Sequence, residues 1–152
     1  MTYRVHSTEE IPTEFISSLS TTTVLGFAGS RHLEVPPPTC QRLLSSFLPS
    51  GTRFAVGCAP GVDSSFHQLL VDTCKDRASF FRAFSSRDSL GLEVSFTSPD
   101  TLRPAWALAS RTRALTKACT HIVLFPFKWG PGSRLCLRLA EERGLKILIV
   151  TI

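Results

Sequence analysis

No Cys-x-x-Cys pair occurs among the five cysteines, at 40, 58, 74, 119 and 136. An odd number without paired spacing excludes a zinc ribbon and argues against a disulfide framework. Most of the five sit in apolar contexts, where cysteine packs as a small hydrophobe, and the setting expected is the cytoplasm. The four histidines are scattered and carboxylates are not clustered, so no metal site is expected. Neither the Gly-x-Gly-x-x-Gly dinucleotide fingerprint nor a Walker loop is present, and no cofactor is expected. Apolar stretches reach only strand length, which predicts no membrane span. The start, Met1-Thr2-Tyr3-Arg4-Val5-His6, lacks the apolar segment of a secretory signal. Finally, no basic run exists, although the net charge is +5.

What the 152 residues do contain suits one packed domain: 43% are hydrophobic and 19% charged. A chain of about this length buries roughly two thirds of its unfolded surface and needs no metal or disulfide staple. Arginine supplies 13 of the 17 basic residues. Its planar fork of donors matches phosphate oxygens, so an anionic ligand or nucleic acid is favoured. A solvated surface with a modest positive excess would read the same way.

Residues 1–22 are polar and rich in Ser and Thr, which predicts a peripheral arm with a short helix near 13–19; residues 23–152 then form a single domain. Thr22–Gly29 and Arg53–Cys58 are short apolar runs that read as buried strands. Between them Cys40, Leu43, Leu44, Phe47 and Leu48 mark one face of a helix. Val62, Phe66, Leu69, Leu70 and Cys74 mark a second helix. Ala78–Phe84 reads as a strand and residues 85–103 mostly as loop. A third helical stripe runs through Ala105, Leu108, Ala109, Thr112, Leu115, Thr116 and Cys119, with Trp106 beside it. His121–Phe125 is a strand, Leu135, Leu139 and Ala140 belong to a fourth helix, and Lys146–Ile152 is the last strand. Strands apolar throughout, alternating with helices, predict an α/β fold: a doubly wound, mostly parallel sheet in three αβα layers, of Rossmann-like type. Such folds bind ligands beyond the carboxyl ends of their strands.

Three glycine-bearing loops follow strands. Gly29-Ser30-Arg31 lets backbone approach a ligand and offers donors, or is a plain turn. Gly57-Cys58-Ala59-Pro60-Gly61-Val62-Asp63 leads into a helix, whose first N–H groups make an anion site. Asp63 there touches a ribose hydroxyl or caps the helix. His67, one turn on, reads more readily as a packed or capping histidine than as a catalytic one. Gly130-Pro131-Gly132-Ser133 opens the fourth helix, with Ser133 as a helix cap or a phosphate ligand, after Lys128 and Trp129. Arg111 and Arg113 flank the third helical stripe, leaning over the sheet end or snorkelling beside the core.

Taken together, Gly29-Ser30-Arg31, Gly61-Val62-Asp63 with His67, Arg111-Thr112-Arg113 and Gly132-Ser133 resemble the superfamily containing the Lonely Guy phosphoribohydrolases and the DNA-processing protein A family. The segment VGCAPGVDSSFHQLL is similar to the latter family's Ser-Gly-x-Ala-x-Gly-Ile-Asp-x-x-Ala-His, and Arg111-Thr112-Arg113 to its Arg-Asn-Arg. The resemblance spans about residues 23 to 150 and implies a Rossmann-like fold, a nucleotide-type site at these loops, and homodimerisation. It also sets a limit. Lonely Guy enzymes carry a catalytic Glu in Pro-Gly-Gly-x-Gly-Thr-x-x-Glu, and that position falls here on Cys136. A thiol does not stabilise a developing oxocarbenium ion as a carboxylate does.

The function expected is therefore binding or sensing of a nucleotide-type small molecule, with no catalytic residue assigned. Gly29, Ser30 and Arg31 would border base or ribose. Gly57, Gly61 and Asp63, with Val62 beside them, would hold ribose or phosphate. Gly132 and Ser133, after Gly130, would present N–H groups to phosphate, and Arg111 or Arg113 would neutralise it. Two alternatives stand beside this. One is glycosidic hydrolysis of a nucleotide through Asp63, or through Glu141 and Glu142. The other is a single-stranded DNA module of the DNA-processing type.

Overall fold

Runs that are apolar on both faces need covering from both sides, and the computed structural model, which describes residues 1–83, 93–98 and 103–152, provides that cover. Its elements are β1 (Thr2–His6), α1 (Thr13–Ser17), β2 (Val24–Gly29), α2 (Pro37–Phe47), β3 (Arg53–Gly57), α3 (Val62–Cys74), β4 (Ala78–Arg82), β5 (Glu93–Thr97), α4 (Pro104–Ala118), β6 (His121–Phe125), α5 (Pro131–Glu142) and β7 (Lys146–Thr151). The strands form one sheet in the order β1-β7-β6-β2-β3-β4-β5. Every pairing is parallel.

Alternate residues of the central strands point to opposite faces and fill two cores. Leu25 and Phe27 of β2 join α1, α2 and α3 on one side; Ala28 joins α4 and α5 on the other. On the first side Phe27 stacks on Phe66 of α3 with ring centroids 4.1 Å apart. Such contacts add about 0.5–1.5 kcal/mol beyond area burial, and this one fixes where α3 begins relative to the end of β2.

Two strands lie where the sequence reading had none. Thr2–His6 is not part of a peripheral arm: it pairs residue for residue with β7 at one sheet edge. Only Val5 of this strand is buried, and Thr2, Arg4 and His6 are exposed, the polar alternation of an edge strand. Arg42 of α2 holds the following turn through the carbonyls of Ser7 and Glu9, and Phe15 of α1 is fully buried. Glu93–Thr97 forms the opposite edge, inside the stretch read as loop. Of that region and the strand before it, residues 84–92 and 99–102 lie outside the described residues.

The strand order sets the site. From β2 the chain progresses outward through β3, β4 and β5, then returns to place β6 on the other side of β2. The connections after β2 and β6 therefore leave in opposite directions. A crevice opens between the carboxyl ends of these strands, where doubly wound sheets bind ligands.

Candidate functional site: a cleft at the switch point

The cleft at this point is lined by Ala28, Gly29, Asp63, Arg111, Thr112, Leu115, Gly132, Ser133 and Cys136, and measures about 360 Å³ with its open mouth included. Four elements contribute: the end of β2, the starts of α3 and α5, and the middle of α4.

Its charged centre is a pair. Arg111 Nη1 donates to Asp63 Oδ2 at 3.1 Å, with the side chains 11% and 6% exposed. The same carboxylate oxygen accepts the Ala59 N–H at 3.0 Å, closing the turn before α3. Asp63 is thus no N-cap; Gly61 occupies that position without a side-chain bond. Burial pushes the Asp63 carboxyl up from its ordinary value, while Arg111, the Ala59 N–H and His67 act against that rise. Arg111 Nε is buried without a hydrogen-bond partner, so the guanidinium is only partly satisfied.

Two glycines make the pair geometrically allowed. A Cβ on Gly57 would lie 2.0 Å from Arg111 Nη1 and 2.4 Å from Asp63 Oδ2. Gly57 therefore serves as the seat of the ion pair. His67 Nε2 donates to the Gly57 carbonyl at 2.6 Å, and His67 also packs on Phe80; this histidine is buried and lies outside the cleft lining. Gly61 has φ +83°, and its missing Cβ would fall 2.5 Å from the Ser30 carbonyl oxygen. That carbonyl accepts the Val62 N–H at 3.1 Å, while the Ser30 N–H donates to Phe125 O. The loops after β2 and β3 and the end of β6 are laced together in this way.

The fourth side is the start of α5. Pro131 takes the first position, Gly130 is the N-cap, and no side chain caps the helix, a standard use of proline at a helix start. Ser133 is therefore no N-cap either: it sits one turn in, buried, facing the cleft. The first loop-to-helix bond is Arg134 N–H to Gly130 O; the N–H groups before it have no partner within a helix of this geometry. Nothing lies within 4 Å of where a Cβ on Gly132 would project. Lys128 and Trp129 precede this turn in left-handed backbone, φ 52° and 45°, an unfavourable conformation for two side-chain-bearing residues in succession.

The structure brings Gly29, Asp63, Arg111, Gly132 and Ser133 to one cleft, with Gly57, Gly61 and Val62 packed behind it. Ser30 belongs to the laced loops and Arg31 is exposed next to it. Gly130 is half-buried at the helix cap. Arg113 is not brought in: two residues from Arg111 on a helix, it turns to solvent. Glu141 and Glu142 are exposed at the far end of α5, away from the cleft lining. Ala28, Thr112, Leu115 and Cys136 were missed as lining residues. The helical spacings Arg111–Leu115 and Ser133–Cys136 are the signal that finds two of them. The Cys136 thiol, buried, is pushed up to about 12, so it is neutral at physiological pH.

The sequence matches no family model and no curated protein. Solved structures share its fold. One is DNA processing protein A from Helicobacter pylori, described for its single-stranded DNA binding mode: TM-score 0.64 at 13% identity, over 91% of this chain and 68% of that one. Another is DNA processing protein A from Streptococcus pneumoniae: TM-score 0.65 at 14% identity, over 90% of this chain and 51% of that one. This chain thus spans about two thirds of the first and half of the second. It has the Rossmann-like α/β fold of these proteins. Among the described residues no helix is long and apolar enough to cross a membrane.

Proposed function

We propose that this chain binds a nucleotide or nucleotide-derived phosphate ester in the cleft between the ends of β2 and β6. The observation that carries the reading is convergence: Arg111, only partly satisfied, and the open start of α5 at Gly132 and Ser133 face one small cleft. A helix start offers backbone N–H donors and a positive dipole end, and Arg111 adds a full charge. Phosphate sits against these groups, and Gly29 and Asp63 border the sugar. Binding rather than glycosidic hydrolysis is the reading, because a neutral buried thiol stands at the position of the Lonely Guy glutamate and Asp63 is tied to Arg111.

A panel of nucleoside monophosphates, diphosphates, ADP-ribose, NAD and ribose 5-phosphate, assayed by thermal shift, tests this. A ligand at about 100 times its Kd adds roughly 2.7 kcal/mol, or several degrees for a domain of this size. The shift is expected to vanish in Arg111→Met. No shift with any member at millimolar concentration defeats the reading. A second reading, a single DNA strand lying over the same cleft, draws support from the fold shared with the Helicobacter protein; it predicts affinity that falls steeply with salt.

A further inference from the structure

A nucleotide in the cleft leaves its base without a seat. The cleft measures about 360 Å³ with its mouth included, and no aromatic ring lines it. Phosphate and sugar fit there; the base has to lie outside, over the rim. The turn between β6 and α5 forms one side of that rim. Phe125 pairs with Gly29 of the cleft, and residues 126–130 then lead straight to Gly132 and Ser133 at the start of α5.

Three features set this turn apart. Phe127 is 41% exposed, whereas every other described phenylalanine is buried or half-buried. Lys128 Nζ rests over the Phe127 ring, 5.4 Å from its centroid, and among the described residues no carboxylate pairs with it. Lys128 and Trp129 hold left-handed backbone, while Gly130 beside them takes φ −62°, which any residue adopts. Glycine at position 128 would make the same turn without strain, yet a lysine stands there. Strain of this kind gathers at ligand clamps. Trp129 packs against the core that supplies Ala28, Leu115 and Cys136 to the cleft, and so anchors the turn. Phe127 and Lys128 are exposed and belong to neither core.

We propose, resting on the reading that the cleft holds phosphate and sugar, that Phe127 and Lys128 form a base subsite selective for 6-oxopurines, that is guanine or hypoxanthine. The base stacks on the exposed ring face and takes the place that the ammonium now occupies. The ammonium then lies at the edge of the base, where it has three donors and no acceptor to offer. Guanine and hypoxanthine turn two acceptors, O6 and N7, toward such a donor. Adenine sets its N6 donor beside N7 and repels the ammonium there. A pyrimidine, with one ring, covers less of Phe127.

The test is calorimetric titration of the full chain with GMP, inosine monophosphate, AMP and ribose 5-phosphate. GMP should bind at least about tenfold tighter than AMP. Inosine monophosphate, which keeps O6 and N7 but lacks the 2-amino group, should match GMP. Lys128→Met should bring GMP and AMP to about the same affinity. Phe127→Ala should weaken GMP roughly tenfold and leave ribose 5-phosphate, which has no base, unchanged. Melting temperatures equal to the parent's verify that both variants fold. Where ribose 5-phosphate binds, equal affinity for GMP and AMP overturns the base subsite and leaves the cleft reading standing. So does a preference for GMP that survives Lys128→Met. A Phe127→Ala protein that loses ribose 5-phosphate along with GMP overturns it as well, since the turn would then only position α5. Binding of none of the four removes the cleft reading itself, and the base subsite with it.

Discussion

Replacing Asp63 with Asn removes the charge opposite Arg111 but keeps an oxygen for the Ala59 N–H. Arg111 would then be a guanidinium whose side chain is 11% exposed, with a buried Nε already lacking a partner. Stranding a buried charge costs about 3–5 kcal/mol in general. The cleft admits some water to Arg111, which points to the lower end, about 3 kcal/mol. For a domain of this length that lowers Tm by roughly 6–12 °C. The pair itself is a weaker stabiliser than this figure suggests, because burial also opposes ionisation of Asp63. Asp63→Asn combined with Arg111→Met should therefore be more stable than Asp63→Asn alone, with a coupling of at least about 1 kcal/mol in the double-mutant cycle. Urea midpoints of the four proteins measure this. An Asp63→Asn protein within about 0.5 kcal/mol of the parent, or strictly additive single substitutions, would refute the reasoning.

Gly61→Ala places a side chain in left-handed backbone and against the Ser30 carbonyl. It should cost at least about 2 kcal/mol, seen as a lower urea midpoint. Gly132→Ala should be neutral to slightly stabilising, because its Cβ meets open space at a helix start, yet it should weaken ligand binding in a titration. His121 is 3% exposed, bonded to the hydroxyls of Ser18 and Thr120, and burial, aided by Lys146, lowers it to about 4. The unfolded chain binds the extra proton between about pH 6.5 and 4, so stability should fall across that window as pH drops, by roughly 3 kcal/mol. His121→Gln should remove that part of the pH dependence, measured by denaturation at pH 7 and pH 4.

The central strands were legible because β2, β3, β6 and β7 are buried on both faces and read as unbroken apolar runs. The edge strands β1 and β5 were not. Tyr3 and Val5 alternate with Thr2, Arg4 and His6, a pattern of two apolar positions that a polar arm also shows. In the site, the glycine loops and Asp63 announced themselves by their place after strands. The contact of Asp63 with Arg111 joins residues 48 apart, and no local pattern encodes it. Helical geometry separates Arg111 from Arg113, but only the packing of α4 on the sheet decides which one faces inward. The same packing overturned the helical stripe at its first turn, where Ala107 is buried and Ala105 exposed.

The most direct test of the cleft reading is a nitrogen–proton correlation spectrum of the labelled chain, titrated with nucleoside monophosphates. Saturable shifts are expected, centred on the Gly132, Ser133 and Gly29 amides and the Arg111 side chain, and absent in Gly132→Asp. Saturable shifts confined to another face of the molecule, or none at millimolar ligand, would contradict it.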